Sequence, residues 1–251
     1  MSETMTEYQK YIALSRYARW LPEEARRETW EETVDRYMIN VVAKKVDPDT
    51  YQEIRTSILE LKVMPSMRAL MSAGPAMDRD NTCAYNCSYL PVDDPKSFDE
   101  AMFILLCGTG VGFSVERQYV SKLPDVPDEL FPSMTTIVVR DSKEGWAKAL
   151  RQLMSLLWSG EVPVWDVSRV RAAGTKLKTF GGRASGPAPL EELFAFVCET
   201  FKAAAGGRLS SLQCHDIMCK IGEVVVAGGV RRSAMISLSN LSDDRMRHAK
   251  S

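Results

Sequence analysis

Cys107-Gly-Thr-Gly-Val-Gly-Phe-Ser-Val115 is the stretch on which the fold turns. Behind it, Phe98 to about Cys107 is apolar nearly all round, which reads as a buried helix. Within it, Val111, Phe113 and Val115 alternate as in a strand. A dinucleotide-binding fingerprint needs a strand before its glycines and a helix after them. Here the order is reversed, which argues against a nicotinamide-type oxidoreductase. Gly108, Gly110 and Gly112 still let a ligand's sugar or base approach the backbone, whose N–H groups are donors there. The plain alternative is a tight helix-to-strand turn.

Working outward, Leu21-Pro22-Glu23-Glu24 reads as a helix start, with Pro in the first turn and acids at the positive end of the dipole. Asp47-Pro48 reads as another, followed by Tyr51, Ile54, Ile58 and Leu61 at helical spacing. From Met64 to Asp94 the chain carries Pro65, Gly74, Pro75 and Pro91, which predicts irregular or extended backbone of the kind that lines sites. Ser97-Phe-Asp-Glu100 has the form of a capping box. A β-branched run from Thr135 to Val139 predicts a strand, and Asp141-Ser142 then caps a helix from about Lys143 to Ser159. Val162 to Val167 reads as a strand, and Ala172 to Ser185 as a polar loop. Helices follow from Pro189 to about Ala205 and from Ser211 to Ala227, then a strand from Ala234 to Leu238 and a short exposed helix from Asp243. No internal repeat is visible.

Strands separated by helices of this length imply parallel crossovers, and therefore an α/β domain. The expected organisation is a helical lobe over residues 1–63 and an α/β part over residues 64–251. The strands are too few to close a barrel, and a half-barrel suits their number.

The chain has 251 residues, 45% of them hydrophobic and 26% charged, with a formal net charge of −1. That balance gives no bulk attraction to nucleic acid or to an anionic membrane. The N-terminus lacks a signal peptide and no apolar run reaches spanning length. A cytoplasmic protein with reduced thiols is expected. Of the six cysteines, Cys83, Cys87, Cys107, Cys198, Cys214 and Cys219, the first two lie close together, but no second close pair with a flanking His completes a zinc site. His215 and Cys219 stand one helical turn apart, where packing outweighs metal ligation, so no metal site is assigned.

Blocks spread over nearly the whole chain resemble the ribonucleotide reductases, most closely the adenosylcobalamin-dependent class II enzymes. They begin with Tyr17-Ala-Arg-Trp-Leu-Pro-Glu-Glu24, Met64-Pro-Ser-Met-Arg68 and Tyr85-Asn-Cys-Ser-Tyr-Leu-Pro-Val-Asp-Asp94. After Cys107 to Val115 come Asp141-Ser-Lys-Glu-Gly-Trp146, Phe180-Gly-Gly-Arg-Ala-Ser-Gly186 and Ala205-Gly-Gly-Arg-Leu209. Val225-Val-Ala-Gly-Gly-Val-Arg-Arg-Ser-Ala234 closes the series.

The resemblance implies the first half of a ten-stranded α/β barrel and a part in converting ribonucleotides to deoxyribonucleotides for DNA replication. In that family a cobalamin-derived thiyl radical removes the ribose 3′ hydrogen, and a cysteine pair reduces the 2′ carbon and becomes a disulfide. Cys87 matches the first member of that pair. Cys83 sits in a similar Cys-Ala-Tyr context, but Asn86 before Cys87 and Leu-Pro-Val-Asp after it carry the match. Asn86 and Gly110 resemble substrate contacts. Met64 stands where the family often has a hydroxyl residue, with Ser66 just beyond it. Lys178, Gly182, Arg183 and Ser185 lie in a segment resembling the loop that couples effector to substrate choice. Arg231 and Arg232 contact phosphate or pair with acids such as Glu223, and the structural role has the larger share.

The resemblance also implies the partners: a ribonucleoside di- or triphosphate, a deoxynucleotide effector, a thioredoxin-like reductant and a complementary C-terminal reductase chain carrying most of the adenosylcobalamin site. Between Val115 and Asp141 the chain reads as lacking an insertion that imitates a dimer interface in monomeric relatives, so effector binding is expected to need a homodimer. Control of overall activity by ATP and dATP is not expected, since the segment before Met64 does not form a nucleotide cone. A non-catalytic nucleotide-binding or assembly module built on the same fold is the alternative.

Overall fold

In the computed structural model, residues 5–176, 183–227 and 234–250 are described. The chain divides into two compact units, Met1–Asn86 and Cys87–Ser251. The segment from Met64 to Asn86 therefore clusters with the helical lobe.

In the first unit, Thr6 caps helix α1 (Glu7–Ile12), which runs into a π-helical turn, Ala13–Tyr17. The Leu21-Pro22 segment does not start a helix. Trp20–Leu21 (β1) and Arg26–Arg27 (β2) form a short antiparallel pair, and residues 22–25 are the turn between them. Pro22 suits a turn as well as a first helical turn, and Ala25 adopts φ 49° to close it. The helix begins later, at α2 (Trp30–Tyr37), where Thr29 and Glu32 make a capping box.

Asp47 caps α3 (Pro48–Leu59) as expected, accepting from the backbone of Asp49 and Thr50. Leu61, expected on the same helix, lies past its end at φ 60°. The proline-containing segment is more regular than its composition suggests, with α4 (Met67–Ser72), α5 (Pro75–Arg79) and a 3-10 turn, Asn81–Ala84. Val34, Met38, Val42 and Ile58 form the unit's core.

The buried pair Glu28–Arg36 ties this unit together. Arg36 donates to Glu28 at 2.8 and 2.9 Å, and to the carbonyls of Leu70, Ala73 and Tyr17. Glu28 also accepts from the Arg19 N–H and the Thr33 hydroxyl.

The second unit opens with β3 (Cys87–Pro91), α6 (Lys96–Leu106) and β4 (Gly110–Ser114), a βαβ crossover with β3 and β4 parallel. The Ser97 capping box does not form. The helix starts two residues earlier, and the Ser97 hydroxyl donates to the carbonyl of Pro91 at 2.9 Å instead. After a short α7 (Arg117–Val120), the same arrangement recurs as β5 (Phe131–Val138), α8 (Lys143–Trp158) and β6 (Glu161–Asp166), again parallel. Ser142 caps α8. Helices α9 (Ala188–Ala203) and α10 (Ser211–Ala227) lead to β7 (Met235–Leu238) and α11 (Asp244–Arg247). Strand β7 joins β4 in parallel, giving the order β3-β4-β7.

Helices α6, α8, α9 and α10 pack in a ring of contacts, α6 on α8, α8 on α9, α9 on α10 and α10 on α6. Phe98, Met102, Leu150, Leu153, Phe194 and Phe201 fill the core they share. Among the described residues no helix is long and apolar enough to cross a membrane.

Two substitutions probe these packings. Arg36→Leu should destabilise the protein by about 3–5 kcal/mol, because it strands a buried carboxylate and three carbonyls. Burial pushes the Glu28 carboxyl up, but the bonds from Arg36, Arg19 and Thr33 outweigh it and hold it below its ordinary value. The stabilisation from Glu28 is therefore present above about pH 4.3, the unfolded value, and is lost as pH falls through the folded one. Leu153→Ala should cost about 2–5 kcal/mol by leaving a cavity in the helix bundle. Urea denaturation followed at pH 7 and at pH 3 checks both, and the Arg36 variant should have a smaller deficit at the lower pH, where the carboxylate's share falls and that of the carbonyls remains.

Candidate functional site

Strand periodicity decides what surrounds Cys87. It opens β3 directly opposite Gly110, the first residue of β4, and Tyr89 pairs with Gly112. Gly112 in turn pairs with Ile236 of β7, and Ser114 with Leu238. Residues paired in register point to the same side of a sheet, and side alternates along each strand. Cys87, Tyr89, Gly110, Gly112, Ile236 and Leu238 therefore share one face. Leu90, Val111 and Phe113 share the other and are buried in the core that includes α6 and α10.

The first face is open. Cys87 is exposed, and Tyr89, Ile236 and Leu238 are 53%, 67% and 45% exposed. Two glycines beside Cys87 leave bare backbone there, and the Ser88 hydroxyl bonds the Gly110 carbonyl at 2.9 Å from the opposite side. Gly108 makes the turn from α6 at φ 81°. A helix does precede the glycines and a strand does follow, which disposes of the dinucleotide fingerprint.

The other cysteines have different settings. Cys83 is buried, with its sulfur 3.4 Å from the Asp80 carbonyl. Cys107 is buried and accepts from the Lys143 ammonium at 3.1 Å. Burial pushes the Cys198 thiol up to about 11 and the Cys214 thiol up to about 12. His215 Nδ1 lies 2.9 Å from Asp216 and Nε2 3.5 Å from the exposed Cys219 sulfur. No group of three metal-ligating side chains exists among the described residues.

A second feature lies where α6 ends and α8 begins. Asp141, Lys143, Trp146, Arg171 and Ser185 line a cavity of about 110 Å³, which Leu106 and the backbone near Gly186 complete. The Arg171 guanidinium holds Asp141 at 2.7 Å. Of the loop residues expected to meet a nucleotide, Ser185 lines this cavity. Arg183 is engaged with the carbonyl of Gly174 at 2.9 Å, and pairs across the loop with Lys176. Lys178, Gly182, Arg231 and Arg232 lie outside the described residues. Glu223, considered as a partner for the arginine pair, is bonded to Lys220 at 3.0 Å.

Met64, Ser66 and Asn86 belong to the first unit, where the Ser66 hydroxyl caps α4 and Met64 is exposed. The structure thus brings Cys87 and Gly110 together. Asp141 and Arg171 escaped the sequence reading as a pair, since they are thirty positions apart and only the β5-α8-β6 crossover joins them.

A family model described as the B12-dependent ribonucleotide reductase insertion domain matches residues 116–201. A protein of Mycobacterium phage D29, named for adenosylcobalamin-dependent ribonucleoside-triphosphate reductase, is 32% identical over 90% of this chain and 39% of its own length. The adenosylcobalamin-dependent ribonucleoside-triphosphate reductase of Lactobacillus leichmannii is 30% identical over 90% of this chain and 40% of its own. A crystal structure of a B12-dependent, class II ribonucleotide reductase superposes with a TM-score of 0.80 at 25% identity, covering 94% of this chain and 42% of that one.

The chain belongs with the class II ribonucleotide reductases. It spans about two-fifths of the length of the relatives it matches. Residues 116–201 are recognisable insertion domain, and α8 and α9 are its helices within the four-helix ring.

Thiol accessibility is directly measurable. Iodoacetamide under native conditions should label Cys87 and Cys219 first, while Cys198 and Cys214 should react only after unfolding. Peptide mass spectrometry over a time course checks this order. Early labelling of Cys83 with Cys87 protected would contradict the geometry.

Proposed function

We propose that this chain supplies the N-terminal part of an adenosylcobalamin-dependent ribonucleoside-triphosphate reductase, and that Cys87 is one of its two reducing thiols. The observation that carries the reading is the open sheet face. It holds an exposed thiol beside bare glycine backbone, with every covering helix on the other side. A ribose laid on Gly110 and Gly112 would meet the Cys87 sulfur, and Asn86, its neighbour in the chain, is a candidate contact.

The chemistry is a two-electron reduction. The 2′ hydroxyl leaves as water, a hydrogen takes its place, and two thiols give up two electrons and two protons as their sulfurs join. Cys87 supplies one sulfur. The second belongs on a strand that the rest of the reductase adds to this sheet, because disulfide geometry requires the two Cα atoms within about 7 Å. A thioredoxin-like dithiol would reset the pair in the cytoplasm. Adenosylcobalamin supplies the radical in the relatives named for it. Its seat is assigned to the remainder of the enzyme.

The cavity at Asp141, Arg171 and Ser185 is the proposed place for a deoxynucleotide effector, with Lys178, Gly182 and Arg183 in the adjoining loop. Both walls come from one chain, the end of α6 and the insertion domain.

The test uses this chain joined to, or mixed with, the remaining part of a class II reductase. Cys87→Ser should lower deoxynucleotide formation by at least about 10³-fold, as expected for a group acting in the chemical step. Cys83→Ser and Cys219→Ser should leave it near the parent rate. Turnover retained by Cys87→Ser would remove the assignment. Arg171→Gln should blunt the response of substrate choice to added deoxynucleotides while sparing basal turnover.

A further inference from the structure

Three cations line a separate hollow in the insertion domain that no carboxylate lines. Arg140 follows β5, Lys148 lies on α8 and Arg169 follows β6, and together with Gly145 they line a cavity of about 300 Å³. No carboxylate lines it; Thr136 and Gln152 are its polar walls. Among the described residues none of the three charged heads makes a hydrogen bond or an ion pair. Other arginines nearby are engaged, Arg171 on Asp141, Arg151 on Asp99 and Arg208 on Asp125. The nearest acids stand outside the hollow: Asp166 is held low chiefly by bonds from Ser168 and less by the charge of Arg169, and Glu144 lines a neighbouring cavity that Lys148 also borders.

The wall is built rather than accidental. A Cβ on Gly145 would stand 2.4 Å from the Arg140 carbonyl oxygen and 2.7 Å from its Cβ. The first turn of α8 therefore lies flush against the residue that leaves β5, and any side chain there would push Arg140 away. The hollow sits at the carboxyl ends of two parallel strands, where sheets of this kind gather ligands. Guanidinium groups suit phosphate oxygens because their N–H donors form a planar fork, and an ammonium adds a point charge.

We infer that this hollow is a second anion site, taking the phosphate or polyphosphate group of a small ligand. It is distinct from the cavity at Asp141 and Arg171, which has its own paired cation. Its volume is at the low end for ligand pockets, which suits a polyphosphate tail better than an enclosed nucleotide. The anion offsets the mutual repulsion of three like charges, so affinity should rise from phosphate to pyrophosphate to tripolyphosphate and fall with added salt.

Isothermal titration of the whole chain with tripolyphosphate, at fixed chloride, tests it. The Lys148→Gln/Arg169→Gln double variant should weaken binding about tenfold or more, the worth of one charge-assisted bond. Both residues are exposed, so the fold should be retained. Arg171→Gln and Arg208→Gln should leave binding within about twofold, since neither lines the hollow. Gly145→Ala should also weaken it, by displacing Arg140. Repeating the titration with dATP separates the sources: tighter binding than tripolyphosphate with the same sensitivity to the double variant identifies a nucleotide tail, and equal binding a free polyphosphate. Absence of tripolyphosphate binding, or an equal loss in Arg208→Gln, overturns the site. Either result leaves the role of Cys87 untouched.

Discussion

Parallel strands cannot be joined by a tight turn, and the second unit follows from that constraint. To lay β4 beside β3 in the same direction the chain must travel back along the sheet, and α6 is that return. Its apolar surface then has to be buried, which fixes which face of the sheet is covered. The amino ends of β3 and β4 meet as a consequence, so Cys87 comes opposite Gly110 although they are far apart in sequence. Repeating the step as β5-α8-β6 generates a second return helix, and α6 packs on α8. The site and the bundle are two results of one rule of connectivity.

Within that bundle the charged groups show where function and packing part company. Asp99 lies in the first turn of α6, almost fully buried, with one oxygen held by Arg151 and the other without a hydrogen-bond partner. Burial pushes its carboxyl above the ordinary value, and Arg151 only partly offsets this. Because the folded state holds this proton more tightly than the unfolded chain, its contribution is favourable below the unfolded pKa and is lost as pH rises through the folded one. Glu28 in the first unit runs the opposite way, since each of its oxygens is bonded. Two buried acids in one chain thus shift in opposite directions, according to how completely their oxygens are satisfied.

Local signals in the sequence were legible where one residue type has one use. Asp47 before Pro48, and Ser142 before Lys143, cap helices as read. The helix-glycine-strand order at Cys107 to Val115 also stands, and with it the rejection of a dinucleotide fold. Signals failed where two uses compete. Leu21-Pro22 serves a turn as readily as a helix start, and the pairing of Trp20 with Arg27 tips it to a hairpin. Ser97 could cap α6, but the end of β3 offers the Pro91 carbonyl first.

The open face follows from the same accounting. Crossovers of one hand that add strands in one direction, as in the order β3-β4-β7, place their helices on one side of the sheet, so the other side is left to something else. Here that side carries Tyr89, Ile236 and Leu238 around Cys87, and the two outer strands, β3 and β7, each present an edge that no described strand pairs. Exposed apolar surface of this kind marks an interaction site, and free strand edges invite further strands. Adding them on both sides would curl the sheet around the thiol, exclude water from it, and bring a second sulfur within bonding distance. The residues that leave this sheet unsatisfied alone are therefore the ones the proposed reductase would use: a face already apolar, already bare of side chains at two glycines, and already holding an exposed thiol.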